Sequence, residues 1–150
     1  MDVSQPDSDP VAVARTACRP WFGTVPLDVG TMPDAGFSGA TLVRVRPRGT
    51  GSWFVLKAFV AGTPRSRADR VHGLVRHLAA AGVDEIPVPL ATRAGGTLAV
   101  DERATIWELV PFVDGVSTER PSDGEAAAAL RVLARLHTAA AMLPGVPPLT

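Results

Sequence analysis

Hydrophobic and polar positions change period along the chain, and each change predicts an element. Between Thr41 and Arg46, Val43 and Val45 alternate with Leu42, Arg44 and Arg46, the period of a half-buried strand. Pro47 to Ser52 carries Gly49 and Gly51 and reads as a turn. Trp53 to Val60, rich in aromatic and β-branched residues, is a second strand, so the two predict an antiparallel hairpin. Upstream, residues 1–10 read as a disordered lead in which Asp9 and Pro10 supply the cap and first position of a short helix over Val11 to Cys18. Pro20, Gly23 and Pro26 then break the chain. Downstream, Ser66 is the expected cap of a helix from Arg67 to Ala81, with Val71, Leu74, Val75 and Leu78 at helical spacing and Gly82 as its stop. Pro87 and Pro89 confine a short extended segment. A Gly95-Gly96 turn leads into a strand at Thr97 to Val100, and Asp101 to Arg103 turns into another at Thr105 to Val110, before a linker at Pro111 to Gly115.

The final helix carries the most complete set of signals. Ser122 and Glu125 make a capping box behind Pro121, and the run to Met142 meets no breaker until Pro144-Gly145. Ala126, Leu130, Leu133 and Ala140 share one side, and Val132, Leu136, Ala139 and Leu143 another. A helix apolar on most of its circumference needs neighbours on most sides. Only Pro144 to Thr150 follow it here, so a partner chain or a missing second lobe is expected to cover residues 122–142.

Composition narrows the function classes. The 150 residues carry 15 Lys+Arg and 15 Asp+Glu, and this neutral balance gives no bulk attraction to nucleic acid or to a membrane surface. No apolar run approaches the roughly 20 residues of a membrane helix, and the acidic start is unlike a secretory signal, so a cytoplasmic location is expected. The single Cys18 excludes an internal disulfide and reads as a packed residue. Lys57 is the sole Lys among the 15 basic residues; all the others are Arg. A compact ammonium in so Arg-rich a chain marks a position that a forked guanidinium does not serve.

Lys57 alternates with Trp53, Val55 and Phe59, so its ammonium projects from an apolar strand face, where it must reach water or meet an anion. Gly36-Phe37-Ser38-Gly39-Ala40 lies just ahead of the hairpin, and its small residues let backbone N–H groups approach phosphate oxygens. A nucleotide phosphate meets both needs.

Taken in order, Gly36 to Val45, Phe54-Val55-Leu56-Lys57, Gly82-Val83 with Pro87-Val88-Pro89, Ile106 to Gly115, and Leu133-Ala134-Arg135-Leu136-His137 resemble the amino-terminal lobe of the aminoglycoside phosphotransferase and choline kinase-like family, relatives of protein kinases. The resemblance spans roughly residues 25–142. It implies an α+β fold: an antiparallel sheet of five strands, one crossing helix, a hinge and the first helix of a second lobe. The corresponding division is a lead and short helix at 1–20, a nucleotide-binding lobe at 21–110, a hinge at 111–121 and an incomplete second lobe at 122–150. The resemblance places Gly36, Phe37, Ser38, Gly39 and Ala40 over the ATP phosphates and Lys57 on the α and β phosphates. Val110 lies at the back of the adenine pocket, the Pro111 carbonyl and the Val113 N–H meet the base, and Val45 and Val55 give it apolar surface.

Three departures accompany the resemblance. The family pairs its lysine with a Glu of the crossing helix, but Arg67 to Ala81 holds no Glu or Gln; Arg70 and His72 stand near that place, and Asp69 and Glu85 are off register. An Asn often seen in the glycine turn is Ala40 here. The catalytic Asp, Asn and metal-binding Asp that the resemblance places after the last helix are also missing, because the 150 residues contain no Asn and no Asp or Glu beyond Glu125. The expectation is therefore an ATP- and Mg²⁺-dependent small-molecule kinase cut short before its catalytic loop, whose acceptor hydroxyl belongs to an unidentified metabolite or antibiotic. No catalytic or metal-ligating residue is assigned. The alternative is an inactive nucleotide-binding or protein-interaction module. His72 and His77, five apart on one helix, read as surface or packing residues, and His137 as a structural histidine. Trp53 and Trp107 read as sheet core, and Asp101-Glu102-Arg103 as a solvated turn.

Overall fold

The computed structural model describes residues 10–32, 40–115, 118 and 120–143. In chain order the elements are α1 (Pro10–Ala17), α2 (Arg19–Phe22), β1 (Leu27–Thr31), β2 (Leu42–Pro47), β3 (Phe54–Ala58), α3 (Arg65–Ala80), β4 (Leu98–Val100), β5 (Ile106–Pro111) and α4 (Asp123–Ala141). The five strands form one sheet in the order β1-β2-β3-β5-β4, and every neighbouring pair is antiparallel. Helices on both faces of this sheet make the α+β class that the resemblance implies.

Alternation decides what each face meets. On one face Val43 and Val45 of β2, Leu56 and Ala58 of β3, and Trp107 and Leu109 of β5 close against Ala14, Ala17, Cys18 and Trp21 of the α1–α2 segment. Leu56 and Leu109 are fully buried, which contributes about 1.5–3 kcal/mol each. The Trp21 indole donates to the Leu90 carbonyl at 3.0 Å, and the Leu90 N–H donates to Leu109 at 2.8 Å, so the 83–97 connection is tied to both layers. On the other face Ala68 of α3 packs against Leu98, Ile106 and Phe59 at the β4–β5 side. The β2–β3 side of that face keeps Leu42, Val55 and Lys57 half-buried.

Several expectations shift. Ser66 lies inside α3; the cap is Pro64, which makes no side-chain cap bond, and the helix begins one residue earlier than Ser66. Its inward line is Ala68, His72 and Leu78, while Val71 and Leu74 are 43% and 36% exposed. The helix is rolled so that a small residue approaches the sheet and an imidazole reaches it. Asp9 lies outside the described residues. The Pro20 break is a short helix with Pro20 in its first turn, and β1, which the pattern did not predict, pairs residue by residue with β2. Asp101 does more than sit in water: it accepts from the Arg103 and Thr105 N–H groups and from the Trp107 indole, each at 2.9 Å. Burial would raise its carboxyl, but these donors outweigh it and hold the carboxyl low.

α4 carries its capping box as expected, Ser122 and Glu125 satisfying each other's backbone N–H. It meets α3 and the segment that follows it through Ala139, Leu136 and Ala140 against Leu78 and Val83, with the His77 Nε2 3.2 Å from the Ala139 carbonyl and an Arg135–Glu85 ion pair beside it. Leu130, Leu133 and Met142 stay 65%, 46% and 74% exposed. Among the described residues no helix is long and apolar enough to cross a membrane.

Cys18 is fully buried, and burial pushes its thiol up to about 12. No thiolate forms near neutral pH, so a chromogenic disulfide reagent is expected to leave the native chain unlabelled and to titrate one thiol in denaturant. Native labelling at the rate of an exposed thiol would mean that α1 and α2 do not close on the sheet as described.

Candidate functional site

Strand register assigns the residues to faces. Lys57 pairs with Leu42 on β2 and with Glu108 on β5, and Val55 pairs with Arg44 and Val110. Cross-strand partners share a face, so Leu42, Arg44, Val55, Lys57, Glu108 and Val110 form one surface beside α3. Val45 is not part of it. It pairs with Phe54, is 0% exposed and belongs to the core against α1 and α2, one residue out of phase with the surface that Val55 lines. Leu42, not Val45, is the aliphatic residue of β2 on the surface that Val55 lines.

The missing helix carboxylate is supplied from elsewhere. Lys57 Nζ lies 2.8 Å from Glu108 Oε1, and the other carboxylate oxygen, Oε2, lies 2.5 Å from His72 Nε2. The Lys57 side chain is 37% exposed against 7% for Glu108 and 1% for His72, so the cation sits at the rim of a buried acid–imidazole pair. His72 Nδ1 meets the Thr97 hydroxyl at 2.7 Å. Burial favours the neutral form of Glu108, but hydrogen bonds from His72 and Lys57 and their charges prevail, and the carboxyl is held below its ordinary range. An ionised carboxylate only accepts, so His72 donates to it from Nε2, and the Thr97 hydroxyl satisfies Nδ1 in either protonation state. His72, read as a surface or packing residue, is thus buried at the centre of the polar cluster. The available signal was Glu108 itself, one acid inside the apolar run Ile106 to Val110, which requires a cation or donors nearby.

Next to Val55, the Arg44 guanidinium lies between two rings, 4.2 Å from the Trp53 centroid and 4.3 Å from that of Phe112. Arg46 stacks on Trp53 at 4.6 Å and pairs with Asp28 at 2.8 Å. Trp53, expected in the sheet core, is therefore a platform for two arginines, whereas Trp107 is core as expected, at 4% exposure. Among the described residues the buried Arg44 Nε has no hydrogen-bond partner.

At the end of β5 the Phe112 N–H donates to the Trp53 carbonyl at 3.0 Å. Antiparallel strands alternate their bonding direction, so the Pro111 carbonyl points away from β3, as does that of Leu109, which Leu90 occupies. Val113 is 65% exposed, and among the described residues nothing accepts from its N–H. Ala40 is buried directly ahead of β2. Gly36, Phe37, Ser38 and Gly39 lie outside the described residues. His137 is exposed on α4. Among the described residues no cluster of three His, Cys, Asp or Glu could hold a metal ion, and Glu108 is already committed to Lys57 and His72.

Comparison with known proteins places this arrangement. A solved spectinomycin phosphotransferase, in complex with ADP and spectinomycin, superposes with a TM-score of 0.68 at 14% identity, over 95% of this chain and 40% of that one. The sheet and its helices are thus the kinase-like amino-terminal lobe of that fold. The homoserine kinase of Methylobacterium nodulans is 42% identical over 73 residues, which is 48% of this chain and 22% of that enzyme. The chain therefore spans less than half the length of either relative. A family model described as the phosphotransferase enzyme family matches residues 33–148, from ahead of β2 through the end of α4. With the lone lysine on β3, the five-stranded order and that match in agreement, the chain belongs to the phosphotransferase enzyme family.

Proposed function

We propose that the surface formed by Leu42, Val55, Lys57 and Val110 is the nucleotide site of an ATP-dependent small-molecule kinase. The observation that carries this reading is Lys57: a partly exposed ammonium, fixed by a buried carboxylate, beside an apolar patch that α3 leaves open. The patch receives the base, and Lys57 meets the α and β phosphates. The Pro111 carbonyl and the Val113 N–H offer the base an acceptor and a donor, and the Gly36 to Ala40 turn covers the phosphates. The ADP bound by the spectinomycin phosphotransferase supports a nucleotide here.

Residues 21–110 act as the nucleotide-binding lobe in this reading, 111–121 as a hinge, and α4 as the first element of a second lobe that covers Leu130, Leu133 and Met142. The acceptor is a small molecule bearing a hydroxyl. Among the described residues no cluster of three His, Cys, Asp or Glu could hold Mg²⁺. In this reading the 150 residues alone bind nucleotide and do not transfer phosphate, since they hold no Asn and no Asp or Glu beyond Glu125 to orient an acceptor hydroxyl.

Methyl resonances of the labelled chain test the surface directly. On addition of ATP or ADP the signals of Leu42, Val55 and Val110 are expected to shift and saturate together, while those of Val45, Leu56 and Leu109 on the opposite face stay in place. Shifts confined to the Val45 face, or no saturable shift at all, would overturn the assignment.

A further inference from the structure

We propose that His72 is a positioning residue for the nucleotide lysine: α3 acts on Lys57 through the imidazole of His72 and the strand carboxylate of Glu108. This deepens the nucleotide-site reading and rests on it. The contacts run in series, Thr97 Oγ1 to His72 Nδ1 at 2.7 Å, His72 Nε2 to Glu108 Oε2 at 2.5 Å, and Glu108 Oε1 to Lys57 Nζ at 2.8 Å. Each oxygen of the carboxylate has a different partner, one from α3 and one from β3. His72 therefore fixes the plane of Glu108, and that plane fixes where the ammonium stands.

Packing makes the link possible. Ala68, one turn before His72, is fully buried against Leu98 and Ile106, so α3 approaches closely enough for an imidazole to span the gap to β5. The Phe59 ring lies 6.2 Å from the imidazole and 5.0 Å from Lys57 Nζ, walling the cluster on the apolar side. The charged and titratable groups meeting within it are Lys57, Glu108 and His72, with the Thr97 hydroxyl behind. A purely packing histidine would need neither a short bond to a carboxylate nor a second bond at its other nitrogen. Because the carboxylate of α3, Asp69, is exposed and paired with Arg65, displacement of the helix reaches Lys57 by reorienting Glu108, without a direct helix–lysine contact.

The test compares His72→Gln, whose amide can donate to Glu108, with His72→Leu, which cannot. Two readouts are followed in the same chain: the Lys57 ammonium resonance without nucleotide, and ATP affinity by calorimetry. His72→Leu is expected to shift the Lys57 signal and weaken ATP about tenfold, the scale of one lost hydrogen bond to a charged group. His72→Gln recovers most of both. In a Lys57→Met background His72→Leu has no further effect on affinity, because the effect passes through the lysine. Equal losses in Gln and Leu, an unmoved Lys57 signal, or an undiminished effect in the Lys57→Met background would overturn the proposal. If the wild-type chain binds no ATP, the nucleotide reading fails while the lysine resonance still decides the linkage. If His72→Leu does not fold, the wild-type imidazole nitrogens decide it: Nε2 protonated is the expected result, and Nε2 unprotonated overturns it.

Discussion

Replacing Glu108 with Leu is expected to lower the stability of the fold by about 3 kcal/mol, the scale of breaking a buried ion pair from one side. The substitution keeps the apolar bulk on β5 but removes both acceptors. Lys57, at the rim, turns toward water, whereas His72 at 1% exposure cannot. It must either bury an unpaired Nε2–H or move its proton to Nδ1 and leave the other nitrogen without a donor. A second change, His72→Leu, removes the stranded group, so the double variant is expected to regain a substantial part of the loss. Denaturant midpoints of the four chains measure this, and additive losses would show that the two side chains are not coupled.

The same substitution changes the response to acid. Glu108 ionises more readily in the folded chain than its ordinary value of 4.5, so its contribution is complete above that pH and disappears as pH falls through the lowered folded value. The wild type therefore loses stability with acid partly through this group, and Glu108→Leu is expected to have a shallower stability–pH slope below about pH 4.5. Asp101, lowered by the Trp107, Thr105 and Arg103 donors against the cost of its burial, titrates in the same direction and keeps a residual slope in the variant.

Much of the fold was legible because local signals and tertiary packing agree. The β2–β3 hairpin alternates cleanly, Gly82 ends α3 with φ of +85°, and α4 opens with a complete capping box. β1 was not legible: Leu27-Asp28-Val29-Gly30-Thr31 is short and holds a glycine, and what makes it a strand is its pairing with β2. The candidate site shows the same division. Lys57 stands out from composition alone, but the face of a β2 residue depends on hairpin register, which a turn of several residues does not specify. Register puts Leu42 and Arg44 beside Lys57 and Val55 and sends Val45 to the core. The resemblance points to α3 for the partner of the lysine, but the carboxylate there, Asp69, is exposed and paired with Arg65. Glu108 and His72 are separated by 36 residues and meet only once α3 lies across β5.

Lys57→Ala carries the largest expected effect on binding. The substitution removes the one ammonium on the open face and leaves the Glu108 carboxylate, still held by His72, turned toward incoming phosphates. Loss of a charge-assisted contact of about 1.5–3 kcal/mol corresponds to about a ten- to hundredfold weaker complex, and repulsion by the uncovered carboxylate acts in the same direction. The fold itself should survive, because Lys57 lies at the rim and the core on the α1–α2 face is untouched. Calorimetric titration of the wild-type chain and Lys57→Ala with ATP decides between the outcomes. One saturable site in the wild type, weakened at least tenfold in a folded Lys57→Ala, is the predicted result; no saturable binding by the wild type, or equal affinity in both chains, would contradict a nucleotide site built on Lys57.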